Sequence, residues 1–399
     1  MEKTSVTPLL LGLDLGAYSM AVAFHEYIGA ISHAMGREPL GATSNSKIVV
    51  PHIVPDLLNK SAALSAISDF ARDRESVLLV PCEDWYVRLV SDIRDGLAEN
   101  VRVVLPSGEL ISTLSDKIKF YKLLDGFGID YPRAAVFYSA AEISPKILDG
   151  FSYPAVIKPA DSTEYWAHPF VNMKKVYFPE GAPEAEQIIW TVFASGYERG
   201  VILQEKIGKS HEKIGVYTAV YDKEGYIGGV FGDVMLGEPT PTGRGNHVAI
   251  ITAQKPEICK KLDLMLEKLG YIGIANFDLI SDGERWFVLE LNPRAGRSSD
   301  YTRAAGVNLA GALLKIAFGE EVQPLDAREI LWRCIPRGTL YRFCQDGELL
   351  RLAKRLVGES RESCVYSYPG DIRKNPRRAL YSFLHGIRHS RRFKKELEK

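Results

Sequence analysis

The stretch GIANFDLISDGERWFVLELNPR, residues 273 to 294, constrains the chain more than any other. Two apolar runs flank a Ser-Asp-Gly-Glu turn signal at 281 to 284, so the segment predicts two antiparallel strands joined as a hairpin. Those strands carry Asp278, Glu290 and Asn292, and Arg294 and Arg297 follow directly. Carboxylate and carboxamide oxygens suit a hard cation, whereas guanidinium forks suit phosphate or carboxylate. A segment holding both kinds of group fits a ligand that is anionic and metal-bound.

Side-chain parity sets the geometry. If Asp282 and Gly283 alone form the turn, Asp278 faces Phe287 and Glu290 points to the other side of the sheet. A three-residue loop or a bulge sets Asp278 opposite Val288 instead, and Glu290 becomes its diagonal neighbour on the same face, about 7 to 8 Å away. Two carboxylates so placed repel each other unless a cation lies between them. The expectation is therefore this odd register, with Mg²⁺ bridged by Asp278 and Glu290 and Asn292 on the same face. An ordinary hairpin with its polar side toward water is the plainer alternative.

Other segments add groups of the same kind. Lys158 ends the apolar run FSYPAVIK just before Pro159, either as a phosphate-binding lysine or as one whose stem snorkels from a sheet edge. VILQEKI ends a strand at Gln204, where the backbone of Glu205, Lys206 and Ile207 can read a flat purine ring. Lys117 falls in the first turn of a helix that Ser115 caps and that Gly126 and Gly128 end. TGRGNH places Arg244 and His247 on a glycine-flexible loop, and His247 is equally readable as a plain loop residue.

The N-terminal run TPLLLGLDLG, a glycine turn and a helical stretch read as the opening of a parallel α/β unit, and strand signals recur at Ile48, Val77 and Val103. Residues 1–112 thus form a Rossmann-like domain without Gly-x-Gly-x-x-Gly, residues 113–330 read as α+β with helices near 183–196 and 255–269, and residues 331–399 form a C-terminal extension. Its tail from Asp371 carries ten Lys or Arg against three Asp or Glu, a net of +7. The tail reads as a solvated basic helix, a patch for an anionic substrate, or a contact with an acidic membrane surface. Lys plus Arg and Asp plus Glu both total 50, so composition gives no reason to expect nucleic acid as a partner. Five scattered cysteines without a Cys-x-x-Cys pair argue for a reducing compartment and against a zinc site, and the cytoplasm is the expected location.

Taken in order, SDKIKFYKLL, YPAVIKP, VILQEKI, NFDLI and VLELNPR resemble the elements of the ATP-grasp superfamily over residues 113 to about 320. The fold class expected is α/β plus α+β, a Rossmann-like N-terminal domain followed by an ATP-grasp fold. The resemblance implies ATP and Mg²⁺ as cofactors. It implies phosphate contacts from Lys117 and Lys158, an adenine hinge at Glu205, Lys206 and Ile207, Mg²⁺ ligands Asp278, Glu290 and Asn292, and Arg294 on the transferring phosphate. Within the superfamily, NSKIV, KPADSTEYWAHPFVNMKKVY, PTPTGRGNHVAII and LNPRAGRSSDYTRAAGVNLA are similar to the D-aspartate ligase group. The segment after Lys158 lacks the glycine-rich phosphate lid of many members, and Ser210 and His211 stand where that group tends to carry acids, which leaves Glu212 for the ribose hydroxyls.

The activity so implied is ADP-forming ligation of an amino-acid carboxylate to an amine through an acyl phosphate, with D-aspartate and the lysine side chain of a nucleotide-linked muropeptide as substrates. Arg297 with Ser298, and Arg244 with His247, are the substrate-binding candidates; no general base stands out. Rival readings are a ligase for another amino acid or small amine, a carbamoyl-phosphate-type activity, and an ATP-binding regulator without turnover.

Overall fold

A computed structural model describes residues 6–208, 213–240, 243 and 245–398. Two compact units divide it: residues 1–111, 216–277 and 291–399 form the first, and residues 112–215 and 278–290 the second.

The first unit opens with a parallel sheet of β1 (Val6–Leu11), β2 (Ser32–Gly36), β3 (Val49–Ile53), β4 (Ser76–Pro81) and β5 (Val101–Val103), in the order β3-β2-β1-β4-β5. Alternation explains why β1 and β4 are apolar throughout: Leu10, Leu78 and Val80 enter one core while Leu9, Leu11, Val77 and Leu79 enter another. The strand order reverses between β1 and β4, where Asp14 caps the helix Leu15–Ile28 by accepting from Ala17 N–H at 3.1 Å. This is the Rossmann-like arrangement expected.

In the second unit an antiparallel sheet of β6 (Ala134–Phe137), β7 (Val156–Pro159) and β8 (Val201–Gln204) runs in the order β6-β8-β7. Ile157 points into a core with Leu203, Val201 and Ile189, so the next residue, Lys158, turns to the opposite face. The helix Lys117–Gly126 is capped by Asp116, not by Ser115: the Asp116 carboxylate accepts from the N–H groups of Ile118 and Lys119 at 2.9 and 3.1 Å. A carboxylate at the N-cap satisfies two otherwise unpaired donors and complements the helix dipole.

A seven-stranded sheet consists of β9 (Lys213–Asp222), β10 (Gly225–Gly237), β11 (His247–Ala253), β12 (Gly273–Ser281), β13 (Trp286–Asn292), β14 (Leu331–Arg333) and β15 (Glu362–Cys364). Its order is β13-β12-β9-β10-β11-β14-β15. The segment expected to stand apart as a C-terminal extension therefore supplies two of its strands, and Trp332, Leu340, Leu356 and Phe393 enter the same core as Leu10 and Tyr18. Among the described residues no helix is long and apolar enough to cross a membrane.

Candidate active site

The second unit brings Lys117, Lys158 and Glu290 together. Lys117 Nζ lies 3.3 Å from the Glu290 carboxylate, with side chains 14% and 35% exposed. Lys117 is the first helical residue, so its position follows from the Asp116 cap. One turn later on the same helical face stands Tyr121, which no sequence signal had marked. Its hydroxyl receives hydrogen bonds from Lys158 Nζ at 3.1 Å and Gln204 Nε2 at 3.0 Å, and donates to Leu289 O at 3.2 Å. Lys158 and Gln204 reach the same hydroxyl because Lys158 pairs with Ile202 and Val156 with Gln204, which makes the two polar side chains diagonal neighbours on one face.

Charge is unbalanced in this cluster. Burial, and next the Lys117 ammonium, push Lys158 from 10.5 down to about 7, with Glu290 opposing them. Lys117 above all, then Lys175 and Lys158, hold the Glu290 carboxyl far below its ordinary range against the effect of burial. Three ammonium groups thus act on one carboxylate. A half-buried lysine whose proton is this loosely held suits an anionic ligand, because a polyphosphate would offset the desolvation that burial imposes. Lys175 lies within the quoted segment KPADSTEYWAHPFVNMKKVY, but no local pattern singled it out there.

The hairpin differs from expectation at its turn. Asp282 N–H donates to Arg285 O at 3.3 Å around Gly283 and Glu284, and the Asp282 side chain accepts from Glu284 N–H and Arg285 N–H at 2.9 and 2.8 Å. The loop is therefore neither Asp282–Gly283 nor three residues long; the Asp282 side chain has shifted it by one. Counted regularly from this closure, Leu289 would face Asp278. Of the two expected routes to a shared face for Asp278 and Glu290, only a bulge is left. Burial along β13 does not alternate strictly, with Phe287 and Val288 both buried and Leu289 and Glu290 both half-buried. Among the described residues no three His, Cys, Asp or Glu side chains gather to hold a metal ion. A cation at Glu290 would take its remaining ligands from phosphate and water, the usual habit of Mg²⁺.

At the end of β8 the Glu205 N–H donates to Arg133 O at 2.9 Å, Lys206 is exposed, and the chain leaves the sheet through Ile207 and Gly208. Glu212 and Arg244 lie outside the described residues.

The other expected residues belong to the first unit. Arg294 forms a two-point ion pair with Asp84, Nε and Nη2 donating at 2.7 and 2.6 Å, a partner 210 positions away that no local pattern could reveal. Arg297 is exposed, Ser298 is buried, and Asn292 is half-buried at the end of β13. His247 is the first residue of β11, opposite Gly237, and not a loop residue; burial lowers it to about 4, so it is neutral at pH 7.

Three kinds of likeness bear on this geometry. Residues 229–325 match the family model described as carbamoyl-phosphate synthase L chain, ATP binding domain. The chain is 28% identical over 392 residues to D-aspartate ligase of Enterococcus faecium (strain Aus0004), covering 93% of this chain and 92% of that one. Its fold matches an ADP complex of N5-carboxyaminoimidazole ribonucleotide synthetase with a TM-score of 0.61 at 12% identity, over 82% of this chain and 81% of the other. It also matches the biotin carboxylase domain of 2-oxoglutarate carboxylase from Hydrogenobacter thermophilus, solved with magnesium ADP, ADP and bicarbonate, with a TM-score of 0.60 at 15% identity over 81% and 72%. The chain therefore has an ATP-grasp fold, and its sequence is similar to D-aspartate ligase along nearly its whole length.

Proposed function

We propose that this protein is an ADP-forming carboxylate-amine ligase that joins D-aspartate to the lysine side chain of a peptidoglycan precursor in the cytoplasm. The observation that carries the reading is the excess of positive charge around Glu290, from half-buried Lys117 and Lys158 and exposed Lys175. The similarity to D-aspartate ligase over 93% of the chain supports the acid substrate.

ATP would supply the phosphoryl group that turns the carboxylate into an acyl phosphate, releasing ADP, and Mg²⁺ would supply neutralising charge for the phosphates. Lys117 and Lys158 hold the β- and γ-phosphates, and Tyr121 fixes the Lys158 ammonium in place. Of the expected ligands Asp278, Glu290 and Asn292, Glu290 would hold the cation, with phosphate and water completing its shell. Glu205, Lys206 and Ile207 read the adenine and Glu212 the ribose. Arg294 stabilises the phosphate in transfer by exchanging the Asp84 carboxylate for it, a swap between two oxyanions of similar bite. Arg297, Ser298, Arg244 and His247 hold the acid and the acceptor. His247 enters as a neutral hydrogen-bonding group.

The test is a reaction with ATP, Mg²⁺, D-aspartate and a lysine-containing muropeptide, followed by ADP release and by mass spectrometry of the product. A mass gain of one aspartyl residue with D-aspartate, and none with L-aspartate, is expected. ADP release with bicarbonate and no amide product would favour a carbamoyl-phosphate-type activity instead.

A further inference from the structure

The basic C-terminal tail is part of the fold. Its helix, Pro376–Leu397, buries Arg378, His389 and Phe393. Arg378 is completely buried, pairs with Asp371 at 3.0 Å, and stands over the Tyr18 ring at 4.2 Å and the Tyr381 ring at 5.1 Å. Asp371 in turn accepts from Tyr18 Oη at 2.8 Å and from Lys47 N–H at 2.7 Å. These bonds tie the helix to the helix Leu15–Ile28 and to the loop before β3 within the first unit.

Between this helix and β14 and β15 lies a cavity of about 580 Å³. Arg333, Arg391 and Lys394 line it together with His385, Tyr366 and Phe383, and among the described residues no carboxylate does. Arg333 is already engaged with Glu362, which also pairs with Arg337. Arg391 and Lys394 are exposed on the cavity's rim. The buried Nδ1 atoms of His385 and His389 have no hydrogen-bond partner among the described residues. Burial first, then Arg392, Arg297, Arg378 and Arg388, push His385 down to about 4. Burial accounts for most of this, and the four arginines add a positive field in the same direction.

Two links run from this cavity to residues already assigned to substrate. The charge of Arg297 reaches His385, His389, Tyr366 and Cys334. His389 Nε2 lies 3.5 Å from Glu238, whose N–H donates to the carbonyl of Asn246, the neighbour of His247, at 2.8 Å.

We infer that the cavity under the C-terminal helix binds an organic anion, the phosphate- or carboxylate-bearing part of the amine acceptor. Arg391 and Lys394 meet the charge, and Phe383, Ile387 and Pro336 meet the apolar body. The volume is that of a small-molecule pocket, and the charge selects oxyanions. The assignment to the acceptor rests on the ligase reading above; anion binding itself does not.

The experiment is a calorimetric titration of the full chain, first saturated with magnesium ADP, with pyrophosphate and separately with citrate. One site is expected. Arg391→Glu with Lys394→Glu, both exposed and outside the catalytic cluster, should weaken it at least tenfold, whereas Lys158→Met should leave it unchanged. Stronger binding of pyrophosphate identifies a phosphate group, and of citrate a carboxylate group. In turnover assays the double variant should raise KM for the acceptor and leave KM for ATP as it was. Equal binding by wild type and double variant would overturn the proposal even in an active ligase. So would capture by phosphatidylglycerol vesicles without any pyrophosphate or citrate site, which would make the basic face a lipid contact. If no ligase activity is found, the calorimetry still decides the cavity.

Discussion

Lys158 shows how burial becomes a handle on function. With its proton held only to about 7, it is charged below that pH and neutral above it. A bound polyanion restores the proton, so nucleotide binding at pH 8 should take up protons, and affinity should fall as pH rises through 7 to 8. Titrations in buffers of different ionisation enthalpy measure both. Proton uptake should vanish in Lys158→Met, and ATP turnover there should fall by about 10²- to 10³-fold, the usual loss for one preorganised charge-stabilising donor. Tyr121→Phe removes the hydroxyl on which Lys158, Gln204 and Leu289 meet. It should lower stability by about 1 to 3 kcal/mol in urea unfolding, because buried partners lose their bond. Lys158 and Glu290 were readable from sequence because each sits near a strand end after an apolar run, and Lys117 because it opens a helix within the motif SDKIKFYKLL. Tyr121 was not, since a hydroxyl hub exists only once helix and sheet have met.

At the scale of elements, short-range chemistry decides details that periodicity leaves open. Asp116 takes the N-cap from Ser115 because an aspartate there bonds two N–H groups, and this fixes where Lys117 starts its helix. Asp116→Ala should cost about 1 kcal/mol and weaken nucleotide binding several-fold, read by thermal unfolding and by titration. The hairpin repeats the point. Its existence was evident from the apolar runs on either side of Ser-Asp-Gly-Glu, but its loop depends on the Asp282 side chain, and parity counting is only as good as the loop it starts from. Arg294 illustrates a further limit: its motif was legible, its Asp84 partner on the N-terminal domain was not.

For the molecule as a whole, the surprise is the C-terminal segment. Composition favoured a solvated basic arm, yet the helix carries an arginine with no exposure, held by Asp371 and three aromatic rings. Charge counts cannot see a buried ion pair, here Arg378 with Asp371, that packs against Tyr18 from the opposite end of the chain. Arg378→Ala should lower the stability of the chain by about 3 to 5 kcal/mol, since it strands the Asp371 carboxylate. An unchanged unfolding midpoint would mean that the helix is an appendage after all. The central claim is that the lysines around Glu290 form the phosphate and metal end of an ATP site that activates a carboxylate. Its most direct measurement is ADP and amide formation by wild type and by Glu290→Gln, side by side, with ATP, Mg²⁺, D-aspartate and the muropeptide. Amide formed with equimolar ADP by wild type, and turnover lost in Glu290→Gln, is the predicted result; undiminished turnover in Glu290→Gln would contradict it.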